Sequence, residues 1–319
     1  MNKLLSMLLA GTVSLFCMGQ AQAAFPEKPL NVIVAYAPGG TSDISVRMLA
    51  KKLETIMGQP LVITNKGGGA GVPGFEYVMK AKPDGYTISA PATPAFSASI
   101  FLRKKAYDLN EMSFVGTYMI NDRILLTRTD RPYKTWEEFK AYIKANPGKV
   151  SIGSGASQEA LEVLRSVAIK EGLDVNFVMY KSGGEASADL IGGHIDACEL
   201  GVGTAGYQSA RQGKLNILLN LGTGAIPDFP NVPKLHADLG HPFYTSVPYA
   251  FILPKGTPED IRATWENAIK LALQDPELKD AMLKAGFSPS FMSGQETKTF
   301  CQEELKIIPS MLEFNKKAK

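Results

Sequence analysis

Short β-rich apolar runs alternate along the chain with longer windows in which apolar side chains return every three or four positions. Residues 30–35 form the first such run and predict a strand. Residues 44–57 follow, with Leu49, Leu53 and Ile56 on one helical stripe and Gly58 as the stop. Residues 61–64 predict a second strand, 73–80 a short helix and 86–90 a third strand. Alternation of this kind builds a mainly parallel sheet with helices on both faces. Around residues 121–129 the pattern predicts a change of direction, with a strand at 123–127 leading into a second α/β unit. There Thr135 and Glu138 frame a capping box for a helix that stops at Pro147 and Gly148. Strands at 150–152, 175–180, 195–198 and 215–221 alternate with helices at 158–171, 185–191 and 204–211. After a strand at 247–253 the chain turns helical at 260–274, at 276–285, and from Gly294 to about residue 314.

Three of the strand-to-helix junctions share one device. Tyr36-Ala37-Pro38-Gly39-Gly40-Thr41-Ser42-Asp43 joins the first strand to the first helix. Glycine reaches left-handed or strained angles, and Thr41, Ser42 and Asp43 are residue types that cap helix N-termini. Tyr180-Lys181-Ser182-Gly183-Gly184-Glu185-Ala186 repeats the arrangement, and Gly153-Ser154-Gly155-Ala156-Ser157 gives a third version. A helix start carries free N–H groups and about half a positive charge, which suits a carboxylate or phosphate. Ligands of open α/β sheets bind beyond the carboxyl ends of strands. The three turns are therefore expected to face one another across a cleft, with neutral amides and hydroxyls receiving a small anion. Thr93, just past the third predicted strand, is counted with them. Tyr36, Phe96, Tyr180, Tyr207 and Tyr249 lie near strand ends, where one or two could stack on an aromatic acid or simply pack.

The ends and the composition narrow the class. Lys3, the apolar residues 4–18 and Ala21-Gln22-Ala23 read as a secretory leader over residues 1–23, with a mature start at Ala24. Phe16 before Cys17 argues against a lipid anchor. No later run of 18 apolar residues exists, so a soluble mature protein is expected. Its roughly 300 residues suggest two domains. With 34 basic against 31 acidic side chains, mixed along the chain, nothing points to nucleic acid. The mature cysteines, Cys198 and Cys301, sit in apolar context and read as buried free thiols.

Enzyme readings find little. Gly69-Ala70-Gly71-Val72-Pro73-Gly74 fits a dinucleotide pattern, but Pro73 breaks it. Gly155-Ala156-Ser157-Gln158-Glu159 approaches a nucleophile elbow without the closing glycine. His194, His236 and His241 show no zinc spacing. No catalytic residue, metal or cofactor is expected.

The order of segments resembles the Bug family, periplasmic solute receptors of tripartite tricarboxylate transporters. The likeness runs from Phe25-Pro26-Glu27-Lys28-Pro29-Leu30 nearly to the C-terminus. It includes Pro38-Gly39-Gly40-Thr41-Ser42-Asp43, Asn65-Lys66-Gly67-Gly68-Gly69-Ala70-Gly71 and Pro83-Asp84-Gly85-Tyr86-Thr87. Ala145-Asn146-Pro147-Gly148-Lys149, Asp189-Leu190-Ile191-Gly192-Gly193-His194-Ile195-Asp196, Phe229-Pro230-Asn231-Val232-Pro233 and Pro254-Lys255-Gly256-Thr257-Pro258 continue it. No single motif is specific; their order and spacing are.

The resemblance implies a type II periplasmic-binding-protein fold: two α/β domains closing over a small organic carboxylate, working as a monomer with a membrane permease. It implies that Pro38, Gly39, Gly40, Thr41, Ser42 and Asp43, with Ser182, Gly183, Gly184 and Ala186, hold the carboxylate largely through bridging waters. Residues 24–122 with 247–319 would form one domain and 123–246 the other, hinged near Ile124 and Val247. The sequence departs from the family at Ser182, where glycine is common, at Glu185, where proline is, and at Glu159, where histidine is. Two extra carboxylates in the cleft would disfavour a dianion or accept an amine or hydroxyl. The simpler expectation is that both face solvent from a first helical turn, where acids are favoured. A receptor for an ATP-driven importer or a sensor kinase shares all of these features, and a periplasmic hydrolase using Ser157 is the other alternative.

Overall fold

The computed structural model describes residues 25–68, 71–93, 108–155, 157–222, 224, 226, 228–243 and 245–317. The proposed leader, Phe96 and Ala156 lie outside them. The chain begins with β1 (Leu30–Val34), α1 (Thr41–Met57), β2 (Leu61–Asn65), α2 (Val72–Met79) and β3 (Thr87–Ser89). Leu49, Leu53 and Met57 form the buried stripe of α1, and Gly58 ends it in the left-handed region. A strand of 17 residues, β4 (Met112–Arg128), comes next.

The second unit holds α3 (Trp136–Ala145), β5 (Val150–Ser154), α4 (Gln158–Glu171), β6 (Val175–Met179) and α5 (Gly183–Gly192). It continues with β7 (Ala197–Gly201), α6 (Ala205–Arg211) and β8 (Leu215–Asn220). The Thr135–Glu138 capping box is present at the start of α3. β9 (Ser246–Pro254) then returns to the first unit, followed by α7 (Glu259–Ala272), α8 (Pro276–Lys284) and α9 (Gly294–Lys317).

β4 corrects the expected change of direction at 121–129. The strand runs straight through and changes partners instead. Met112 to Asp122 pair with β9, Arg123 to Thr127 with β7, and Ile124 to Arg128 with β8 on the other side. All of these pairings are antiparallel, as is β3 with β9. Among the named strands of the described residues, parallel pairing joins β1 to β2 and β3, and β5 to β6 and β7. The described sheet is thus mixed rather than mainly parallel, because the two crossing strands run against their neighbours.

Each half of the sheet carries its own core. Leu30, Leu49, Phe251 and Trp265 belong to the first half. In the second half Leu125 joins Phe139 and Leu164 on one face, while Ile124 and Leu126 join Leu190 and Leu200 on the other. That is the period-2 alternation of a strand buried on both sides. Cys198 and Cys301 are free and buried. Helix α9 touches both halves: Cys301 packs with Phe114, whereas Met311 packs in the core of α3 and α4.

Candidate ligand-binding site

The three glycine turns meet at the crossing between the half-sheets. Gly39 has φ 81°, a left-handed angle open to glycine at little cost. Its N–H donates to Asp43 Oδ2 at 3.0 Å. Asp43 Oδ1 accepts from Arg47 Nε and Asn65 Nδ2, each at 2.9 Å, and Asn65 also holds the Tyr36 carbonyl at 3.0 Å. Asp43 therefore locks the first turn from behind. The turns of the two halves touch: a Cβ added to Gly184 would stand 3.2 Å from Pro38 O and 3.4 Å from Gly39 C. Closed this way, they cover a cavity of about 40 Å³.

Tyr36, Gly40, Thr41 and Ser42 line that cavity from the first turn, Ser182 and Gly183 from the second, and Gly155 and Ser157 from the third. Helices α1, α4 and α5 all begin there. The first intrahelical bonds of α1 and α5 are Ile44 N to Gly40 O and Ala186 N to Ser182 O, so the amides before them have no partner in their own helix. Ser182 Oγ accepts from Glu185 N at 3.2 Å, and Ser157 Oγ accepts from Ala160 N at 3.2 Å.

Other predicted contacts sit elsewhere. Pro38 is exposed beside the closed turns. Ala186 is fully buried in the core with Leu190 and Leu200, because it lies on the inner face of α5. Glu185 is exposed and reaches back to the Lys181 N–H at 3.1 Å, completing a cap instead of entering the cleft. The Thr93 hydroxyl lies 3.5 Å from Glu304 Oε2, and its N–H donates to Pro248 O. Ser154 is buried beneath the cavity and donates to Glu199 Oε2 at 2.7 Å.

The cavity floor corrects the expectation of neutral donors alone. Arg123, the first residue of β4 to pair with β7, lines the cavity and donates from Nε to Glu199 Oε1. Both side chains are buried. With Ser154 on its other oxygen, the Glu199 carboxylate is held from two sides. Arg123 Nη2 and Thr41 Oγ1 are buried without a hydrogen-bond partner. Tyr249 adds a buried phenol whose pKa burial raises, against the pull of Arg123 and Thr41.

Glu159 also differs from the solvent-facing expectation. It is 7 % exposed, and Oε2 has no partner. Burial raises its pKa to about 7, while the Thr245 hydroxyl and Arg123 act against that rise. Arg123, Glu199 and Gly201 escaped the sequence reading. The signal for Arg123 was the Asp122-Arg123 pair between the two apolar stretches of β4, and for Glu199 a lone acid in the apolar run of β7, which ending the prediction at Cys198 left outside.

A profile described as the tripartite tricarboxylate transporter family receptor matches residues 45–314. The chain belongs to that family. The receptor is similar to a Cupriavidus necator protein described as the "UPF0065 protein in gbd 5'region", 32% identical over 92% of this chain and 90% of the relative. It is also similar to BugT of Bordetella pertussis, 30% identical over 88% of this chain and 87% of that one. A solved structure described as a periplasmic transporter superposes with a TM-score of 0.85 at 30% identity, covering 91% of the receptor and 98% of that chain. The receptor thus has the α/β fold of periplasmic binding proteins, and its family is one of solute receptors. Among its described residues no helix is long and apolar enough to cross a membrane, and no group of three His, Cys, Asp or Glu is placed to hold a metal.

Proposed function

We propose that this receptor is exported to the periplasm, captures one small organic carboxylate between its two half-sheets, and passes it to a membrane permease. One observation carries the reading. Three helix N-termini converge on a single cavity roofed by touching glycine turns from opposite halves. Each helix start favours negative charge, and the amides reach an anion directly or through water.

Residues 24–122 with 247–319 form one moving body and 123–246 the other, with the last turns of α9 riding on the second. The hinge lies where β4 exchanges β9 for β7, at the Asp122–Ser246 pair. Ligand favours the closed form to the extent that it binds that form better. The receptor acts as a monomer and binds without turnover, Ser157 serving as the cap of α4 rather than as a nucleophile.

Thermal unfolding of ligand-stripped protein against organic acids, amino acids and sugars tests the reading. A ligand at 100 times its Kd adds about 2.7 kcal/mol of stability. A shift with a carboxylate, clearly reduced when Gly184 is replaced by Val, supports it. No shift with any acid, or steady hydrolysis of an ester substrate, overturns it.

A further inference from the structure

The roof of the cavity supplies amides for a carboxylate; the floor supplies something else. Arg123 carries five N–H donors in a rigid fork. Glu199 takes Nε, yet Nη2 is buried and unpartnered in a residue that lines the cavity. Thr41, also lining the cavity, leaves its Oγ1 equally unpartnered. Gly201 places the Arg123 head and Thr41 around one space: a Cβ there would collide with Thr41 Oγ1 and lie 2.9 Å from Arg123 Nη1, the nitrogen beside Nη2 on the same guanidinium. The Tyr249 phenol lies close to both Arg123 and Thr41 and can meet one of them; leaving the other unmet in a buried site is costly, so an acceptor on the ligand is its natural partner.

The local charge narrows what that acceptor is. The Arg123 cation is already balanced by Glu199, and Glu159 is buried within electrostatic reach of both. A second carboxylate would enter beside the Glu199 carboxylate and the buried Glu159, with no uncompensated cation to meet it. A neutral oxygen meets the guanidinium without that penalty, and Thr41 can bond a hydroxyl as donor or acceptor.

We infer that Arg123 and Thr41 form a second subsite for an uncharged hydroxyl or carbonyl oxygen, so that the receptor selects small hydroxy or oxo monocarboxylic acids over dicarboxylates. The inference rests on the receptor reading above.

Calorimetric titration of the stripped mature receptor tests it, with lactate, pyruvate, 3-hydroxybutyrate and acetoacetate against propionate, butyrate, succinate and malate. The hydroxy or oxo acids of matching length are expected to bind at least tenfold tighter than both the unsubstituted acids and the dicarboxylates. R123K keeps a cation for Glu199 and removes the second nitrogen. It should lower affinity for the preferred acid about ten- to a hundredfold and erase the preference over the unsubstituted acid. Should R123K fail to fold, the neutral pair R123Q/E199Q replaces it and is expected to give the same loss. Tightest binding of a dicarboxylate, or a preference untouched in the folded variant, overturns the inference while leaving the receptor reading intact. A wild-type protein that binds none of these acids or any other carboxylate defeats both.

Discussion

The roof and the floor of the cavity are built by different physics. The roof is made of glycine turns and helix starts, where ordering comes from contacts between near neighbours such as Gly39 N–H with Asp43 and Glu185 N–H with Ser182. The floor is made of Arg123 and Glu199, 76 residues apart and buried as a charged pair. A roof of backbone amides receives any small anion with similar ease. A floor with one fixed fork of donors discriminates by chemistry. The division of labour between capture and choice is therefore expected to follow the division between backbone and side chain.

The largest effect should come from unbalancing the floor. Glu199→Ala leaves the Arg123 charge buried and unpaired and should lower stability by about 3–5 kcal/mol in urea unfolding. Arg123→Met with Glu199→Leu should restore most of that loss, because it removes both desolvation costs. Equal loss in the single and double variants would mean that packing, not charge, sets the cost.

Glu159 gives the next effect, and its sign is opposite to that of an ordinary surface acid. Burial raises its pKa from 4.5 to about 7, so the folded state holds the proton more tightly than the unfolded chain. This contribution is fully present below about pH 4.5 and is lost as pH rises through about 7, costing about 3 kcal/mol by pH 8. Melting temperatures of wild type and Glu159→Gln across pH 5 to 8 measure it. The wild type should lose stability over that range and the variant should lose less. Parallel curves would place the Glu159 carboxyl in water.

These contrasts explain what was legible in the sequence. Helix boundaries at Gly58, the capping box at Thr135 and Glu138, and the three glycine turns are local signals, so spacing alone exposed them. The partner exchange along β4 depends on β7, β8 and β9, which are distant in sequence; the pattern read its apolar run as a strand starting at residue 123, with a hinge expected near Ile124, and did not reveal one strand running from Met112 to Arg128. Glu159 and Glu185 both lie in first helical turns, two and three residues after their caps Ser157 and Ser182, yet one is buried and the other exposed. Helix-dipole reasoning treats them alike; the reach of Glu185 back to the Lys181 N–H and the packing of α4 near Thr245 and Arg123 separate them.

Substituting the roof should move closure more than folding. Gly184→Val places atoms against Pro38 O and Gly39, contacts that exist only when the halves meet. Overpacking of this kind costs about 1–3 kcal/mol, borne here by the closed form. Affinity for every acid should fall about tenfold or more, with ligand-free melting nearly unchanged and the ranking of acids preserved. A changed ranking would mean that the roof also chooses.

The smallest effect concerns the link that neither roof nor floor contains. Helix α9 starts against Phe114 in the first half and ends in the second, where Asn315 Nδ2 donates to Glu162 O at 3.1 Å and to Glu162 Oε2 at 2.9 Å. It ties the halves together on a path separate from β4 and β9. Asn315→Ala removes one part-buried donor and should lower stability by about 1 kcal/mol. Because α9 contributes no lining residue, its loss should change affinity for all acids by one common factor and leave the ratio between hydroxy acid and dicarboxylate where it was. Calorimetry of the variant with one acid of each class reads that ratio directly. A ratio that moved would show that the strap positions Arg123 as well as the two halves, and the separation of capture from choice would fail at its most distant element.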